Sequence, residues 1–181
     1  MRLALGAGYW SSGPPAGTVE QIAAAERLGY DCVWTAEAYG SDALTPLAWW
    51  GAATSTIGLG TSICQISART PAAMGMAALT LDHLSGGRFR LGLGASGPQV
   101  VEGWYGQPYP RPLARTREYV DIVRLAFAGE KLQYDGHQYV LPRPGGEGKA
   151  LRLAQPADDR IPVYLATLGP KALEYTGQAA D

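Results

Sequence analysis

Residues 92–97 read Gly-Leu-Gly-Ala-Ser-Gly, a literal G-x-G-x-x-G. That spacing can bring backbone N–H groups up to a pyrophosphate at the start of a helix. A dinucleotide site also needs a strand before the glycines, a helix after them and an acidic residue about 20 positions on, at a strand end. The apolar run 89–93 supplies the strand. Gly103, Pro108, Pro110 and Pro112 leave a helix starting at Pro98 only a turn or two. Glu118, the nearest acidic candidate, falls inside the next predicted helix. The motif also follows a fourth strand, where the fingerprint follows the first. These glycines are therefore read as a strand-end loop whose small residues admit a ligand to the backbone.

Other chemistries find little support. His83 and His137 are the only histidines and have no ligand company, so no metal site is expected. Cys32 and Cys64 lie in separate apolar runs, far from C-x-x-C spacing. They read as buried thiols of a reducing, cytoplasmic setting. No G-x-S-x-G elbow occurs. The chain of 181 residues has a formal charge of −1 and scattered Lys and Arg, so no nucleic-acid partner is expected. No secretory signal and no apolar run long enough to cross a membrane is present, so no membrane partner is expected either.

The elements that must position these residues alternate. Strands are expected at 2–8, 31–35, 57–64, 89–93 and 161–167. Helices are expected at 18–28, 44–54, 71–84, 113–128 and 170–180. Thr18 reads as the N-cap of the first helix and Gly29 as its stop. The strands are continuously apolar, which implies a parallel sheet covered on both faces. Two segments break the rhythm. Residues 97–112 form a loop rich in Gly, Pro and aromatics. Residues 132–140 carry two alternating runs around Asp135-Gly136, a β-hairpin signal.

Four stretches carry a family resemblance: YDCVWTAEAYGSDALTPLAW (30–49), IGLGTSICQISARTPAAMGMAALTLD (57–82), LTLDHLSGGRFRLGLGASG (79–97) and IPVYLATLGPKALEYTGQAAD (161–181). Over essentially the whole chain the sequence resembles the luciferase-like flavin and deazaflavin oxidoreductases. It looks closest to the branch that uses coenzyme F-420 (8-hydroxy-5-deazaflavin). The resemblance implies an α/β fold of the TIM (β/α)8-barrel type, with five βα units in one domain, 1–181. Such barrels need about 250 residues, so the chain reads as the N-terminal part of one. Five units would leave an open parallel edge that must pair with more chain. The implied activity is hydride transfer between the deazaflavin and a small organic substrate. An FMN-dependent monooxygenase is the alternative within the family. A non-catalytic cofactor-binding or half-barrel association protein is the alternative of another class. A homodimer is the expected assembly of the full-length protein.

Barrel ligands sit at the carboxyl ends of strands. After the first strand, Tyr9 and Trp10 are either packing aromatics or a substrate wall. After the second, Glu37 aligns with a family acid, but Ala38 replaces the His that follows it. After the third, the resemblance implies a non-prolyl cis peptide at Ser62–Ile63, with Arg69 close behind. After the fourth, Gly94, Ala95 and Ser96 would let a ring or ribityl chain approach the backbone. Pro98 replaces a family glutamate there, and Glu102 remains further on. Glu37 and Glu102 are thus the catalytic candidates. After the fifth, Ala166, Thr167, Leu168, Gly169 and Lys171 correspond to a cofactor phosphate loop, in keeping with the attraction of a helix start for anions. Trp104, with Tyr105, would cover the site from loop 97–112, and the aromatics Tyr9, Trp10, Trp104, Tyr105 and Tyr109 suggest an apolar or planar substrate.

Overall fold

The computed structural model describes all 181 residues. The strands are β1 (Ala4–Gly8), β2 (Cys32–Thr35), β3 (Gly58–Thr61), β4 (Cys64–Gln65), β5 (Phe89–Gly94), β6 (Tyr134–Asp135), β7 (Val140–Leu141) and β8 (Val163–Ala166). The helices are α1 (Thr18–Arg27), α2 (Leu44–Gly51), α3 (Pro71–Ser85), α4 (Pro98–Val101), α5 (Pro112–Phe127) and α6 (Pro170–Ala179). Every pairing in the main sheet is parallel, running β1, β2, β3, β5, β8 in chain order. The five expected βα units are all present.

Alternation along each strand divides the sheet into two faces. Val33, Leu59, Leu91, Leu93 and Val163 point toward the helices and are fully buried. They meet Ile22, Leu47, Trp50, Met74, Leu79, Tyr119 and Phe127 in one continuous core. The other face carries Gly58, Gly60, Gly92 and Gly94, with Trp34 and Tyr164 among them. Trp34 and Tyr164 meet edge to face, with ring centroids 5.3 Å apart. Their strands stand three places apart, about 14 Å in a flat sheet. The contact therefore reports strong curvature, as a barrel wall requires.

Three local expectations are corrected. Thr18 does not cap α1: Gly17, at φ 69°, holds the N-cap place, and the Thr18 hydroxyl donates to the Pro15 carbonyl. The third strand is not continuous. Between Gly60 and Cys64 the chain advances four residues while β5 advances three, from Arg90 to Leu93. The break is a bulge, and the Ser62–Ile63 peptide within it is cis, at the bond the resemblance singled out. The hairpin of β6 and β7 turns over Gly136 to Tyr139 rather than tightly at Asp135-Gly136. The Glu118 carboxylate accepts the N–H groups of His137, Gln138 and Tyr139 and so replaces the missing tight-turn bonds.

Candidate functional site

At the carboxyl ends of β4, β5 and β8 lies a groove of about 670 Å³. Its floor is Ile63 from the bulge, Gly94 from β5 and Ala166 from β8. Gly94 is required by this floor: a β-carbon there would stand 2.9 Å from Ile63 Cγ1 and 3.4 Å from the Ala166 β-carbon. Ala95 and Ser96 form one wall, and Thr167, Leu168 and Gly169 form the other. Eight of the expected cofactor residues thus converge on one groove. Ser62 is exposed on the bulge outside this lining, and Lys171 is exposed on the first turn of α6, also outside it.

The expected cover from loop 97–112 reaches the groove through Tyr109, while the part played by α5 was not foreseen in the sequence. Tyr109 donates its hydroxyl to the Ser96 carbonyl at 2.8 Å and so closes one side. Ser96 takes φ 59°, the left-handed region, to present that carbonyl. Pro112, Leu113 and Thr116 of α5 complete the wall. The i to i+4 spacing of Pro112 and Thr116 places both on one helix face, the signal that could have found them. No charged side chain lines the groove, and its volume lies in the range of small-molecule sites. A flat, largely apolar ring system fits that lining. An anionic tail would meet backbone N–H groups at the start of α6, since the Thr167 hydroxyl already pairs with that of Thr176 at 2.9 Å.

Beside the groove, Glu37 sits two residues past β2 and is 9% exposed. Its Oε1 accepts from Arg69 Nη1 and from the Gln65 N–H, both at 2.8 Å. Its Oε2 accepts from Arg69 Nη1 at 3.0 Å and from the Ala43 N–H at 3.2 Å. Burial disfavours the Arg69 charge, but the Glu37 carboxylate outweighs it and raises the guanidinium above its ordinary pKa. Arg69 Nη2 also lies 3.8 Å from Asp42. Asp42 in turn accepts the N–H groups of Leu44 and Thr45, which start α2. A smaller hollow of about 220 Å³ is lined by this cluster together with Trp104 and Tyr105 of loop 97–112, and the Gln65 side-chain amide donates to the Tyr105 hydroxyl at 3.4 Å.

The remaining candidates are dispersed. Glu102 is exposed just after α4 and accepts the Tyr109 N–H at 3.4 Å. Tyr9 lines neither hollow; it is 40% exposed and stands edge to face with Tyr39 at 6.3 Å. Trp10 leans into the core against Trp50, at 6.2 Å. Burial raises both cysteine thiols to about 12, so neither is a nucleophile at neutral pH. No group of three or more His, Cys, Asp and Glu side chains is placed to hold a metal ion, and no helix is long and apolar enough to cross a membrane.

The profile of the luciferase-like monooxygenases matches residues 3–181. A Mycobacterium tuberculosis protein, provisionally named a coenzyme F-420-dependent oxidoreductase, is 56% identical over 187 aligned positions, which cover 100% of this chain and 54% of that one. The 5,10-methylenetetrahydromethanopterin reductase of Methanolobus tindarius is 32% identical over 158 positions, covering 87% of this chain and 46% of that one. An F-420-dependent secondary alcohol dehydrogenase solved with an F-420–acetone adduct superposes with a TM-score of 0.85 at 22% identity, over 99% of this chain and 56% of that one. At that identity the likeness shows the shared barrel fold. The chain spans about half the length of the curated relatives it matches. Parallel order, bulge, strand-end groove and a match over nearly every residue agree: the chain belongs to the luciferase-like monooxygenase family.

Proposed function

We propose that the full-length protein is an oxidoreductase that moves a hydride between the deazaflavin coenzyme F-420 and a small organic substrate. The observation that carries this reading is the uncharged groove at the ends of β4, β5 and β8, floored by Ile63, Gly94 and Ala166. Support for F-420 over FMN comes from the names of the curated relatives, several of which are F-420-dependent. A bound deazaflavin supplies two-electron hydride chemistry.

In this reading the chain's own residues bind, orient and exclude water. Ile63, Gly94, Ala95, Ser96 and Ala166 hold the ring. Thr167, Leu168 and Gly169 present the start of α6 to the phosphate, where the helix dipole favours an anion. Lys171 adds charge from the rim. Trp104 and Tyr105 shield the open side, and Tyr9 and Trp104 offer aromatic surface to the substrate, whereas Trp10 packs against Trp50 in the core. Glu102 is the candidate to carry a proton, because one of its oxygens has no protein partner. The full-length protein is proposed to be a homodimer.

The test is a fluorescence titration of the full-length protein with F-420 and FMN side by side. F-420 should bind at least about tenfold more tightly than FMN, a difference of about 1.4 kcal/mol. Preference for FMN would turn the reading toward a flavin monooxygenase. Binding of neither would overturn the enzyme reading.

A further inference from the structure

The contacts of Glu37 leave it poorly suited to proton transfer. Both carboxylate oxygens are taken up, by Arg69 and by the backbone N–H groups of Gln65 and Ala43. Each of these partners belongs to a different part of the fold. Ala43 directly precedes α2, Gln65 lies in β4, and Arg69 directly precedes the Thr70 cap of α3. The contact is also reciprocal. Gln65 returns its side-chain amide to the carbonyls of Ala38 at 2.9 Å and Glu37 at 3.3 Å. On the far side, the Arg69 carbonyl accepts the hydroxyl of the buried Tyr119 at 3.1 Å, which ties the loop to α5.

We infer that Glu37 and Arg69 are a positioning pair, a buried clamp that sets where Ile63 enters the groove. The inference rests on the proposed function, because it gives the groove's floor a cofactor to support. Ile63 stands two residues before Gln65, in a bulge fixed on its near side by the Ser62 N–H on the Thr35 carbonyl and by the Thr61 hydroxyl's bonds to Gly92. Its ladder bonds stop at Thr61 and resume at Cys64. The clamp grips the chain immediately past that gap. Moving Gln65 would move Ile63 against Gly94, which sits within 3.0 Å of it for any added β-carbon. A small displacement of a supporting group is enough to spoil a ring site.

The pair must be tested without stranding a buried charge, which would unfold the protein for an unrelated reason. Two variants of the full-length protein do this. Arg69→Lys keeps the charge but replaces a guanidinium whose Nη1 bonds both Glu37 oxygens while Nη2 faces Asp42 with a single ammonium that cannot hold both places. Glu37→Gln combined with Arg69→Met removes both charges together. The probe is F-420 itself, read by affinity, by the absorption band of the bound coenzyme and by thermal melting. Both variants should stay folded, bind F-420 about tenfold more weakly, and shift the bound band toward that of free coenzyme. Because the two residues act as one unit, the double variant should lose no more affinity than Arg69→Lys. A folded variant of either kind that binds F-420 with unchanged affinity and band would overturn the inference and leave the pair merely structural. If the unaltered protein binds neither F-420 nor FMN, the functional reading itself falls, and this inference falls with it.

Discussion

A β-carbon at position 94 would stand 2.9 Å from Cγ1 and 3.0 Å from Cδ1 of Ile63. Those are the flexible ends of a side chain, so Ile63 can yield, but only into the groove. Gly94→Ala should therefore cost less than about 1 kcal/mol of stability and weaken F-420 binding about tenfold. Urea unfolding and coenzyme titration on the same sample would check it; unchanged affinity would show that the ring does not lie on Gly94. Elsewhere, Glu26 is a carboxylate with a plain electrostatic role. Burial opposes its charge, but its Oε1 accepts the N–H groups of Ser55 at 2.8 Å, Thr56 at 2.5 Å and Ile57 at 2.9 Å. Its pKa is lowered from 4.5 to about 2. Protonation is thus harder in the folded state, so the stabilisation is complete above about pH 4.5 and lost as pH falls toward about 2. Glu26→Gln should cost about 1–2 kcal/mol at pH 7 and converge with the parent protein by about pH 2. Parallel melting curves across that window decide the matter, and a gap that persists at low pH would contradict it. At residue scale the site was only partly legible. Small residues after strands announced the groove, but the partners of Glu37 could not be read. Arg69 lies 32 positions away and reaches it only because a parallel sheet sets neighbouring strand ends side by side.

The bulge shows what an element can hide. Residues 57–64 form one apolar run, and nothing in their periodicity marks a break. The partner strand explains it. Thr61 gives its hydroxyl to the Gly92 carbonyl at 2.9 Å and accepts the Gly92 N–H at 2.8 Å. These two bonds take over the backbone pairing where β3 ends. A β-carbon on Gly92 would collide with the Thr61 carbonyl itself, a backbone atom that cannot swing away. Gly92→Ala should consequently destabilise the protein by about 3 kcal/mol or more, and Thr61→Val by about 1–3 kcal/mol through two buried groups left unpaired. Chemical denaturation of the two variants would test the ranking; a neutral Gly92→Ala would mean that the strands can part there at no cost. The glycine fingerprint is thereby explained in physical terms. Gly92 and Gly94 serve strand-to-bulge contact, and the four-residue α4 is too short for a dinucleotide site. Helices were easier to read than strands because their ends carry chemistry. Pro71 with the Thr70 cap opens α3, and Gly86 at φ 69° closes it. The error at Thr18 has the same physical source. A hydroxyl near a helix start can bond backward as well as forward, and here it bonds to Pro15.

At the scale of the molecule, the curved sheet has two edge strands, and only β1 is uncovered: on β8 the Asp181 N–H donates to the Val163 carbonyl at 3.0 Å and the Asp181 carboxylate accepts the Val163 N–H at 2.9 Å. β1 pairs only with β2, and β8 pairs only with β5. The sheet's inner face is exposed along β1, where Ala4, Gly6 and Gly8 carry no bulk to block another strand. Tyr164 on β8 is 37% exposed on the same face. An unpaired parallel edge without charge or proline, as on β1, is a template for further pairing. Leu3 and Leu168, at 50% and 97% exposure, add apolar surface beside the two edge strands. The net charge of −1 supplies almost no repulsion between copies. Residues 1–181 expressed alone should therefore associate in a concentration-dependent way, through the edge of β1. Ala4→Lys, which puts a charge on the inner face of the edge strand, should reduce that association without touching the core. Sedimentation velocity over a wide concentration range, run on both chains, would measure this. A monomer that persists for residues 1–181 at all concentrations, with no effect of Ala4→Lys, would mean that this edge is protected by something other than pairing.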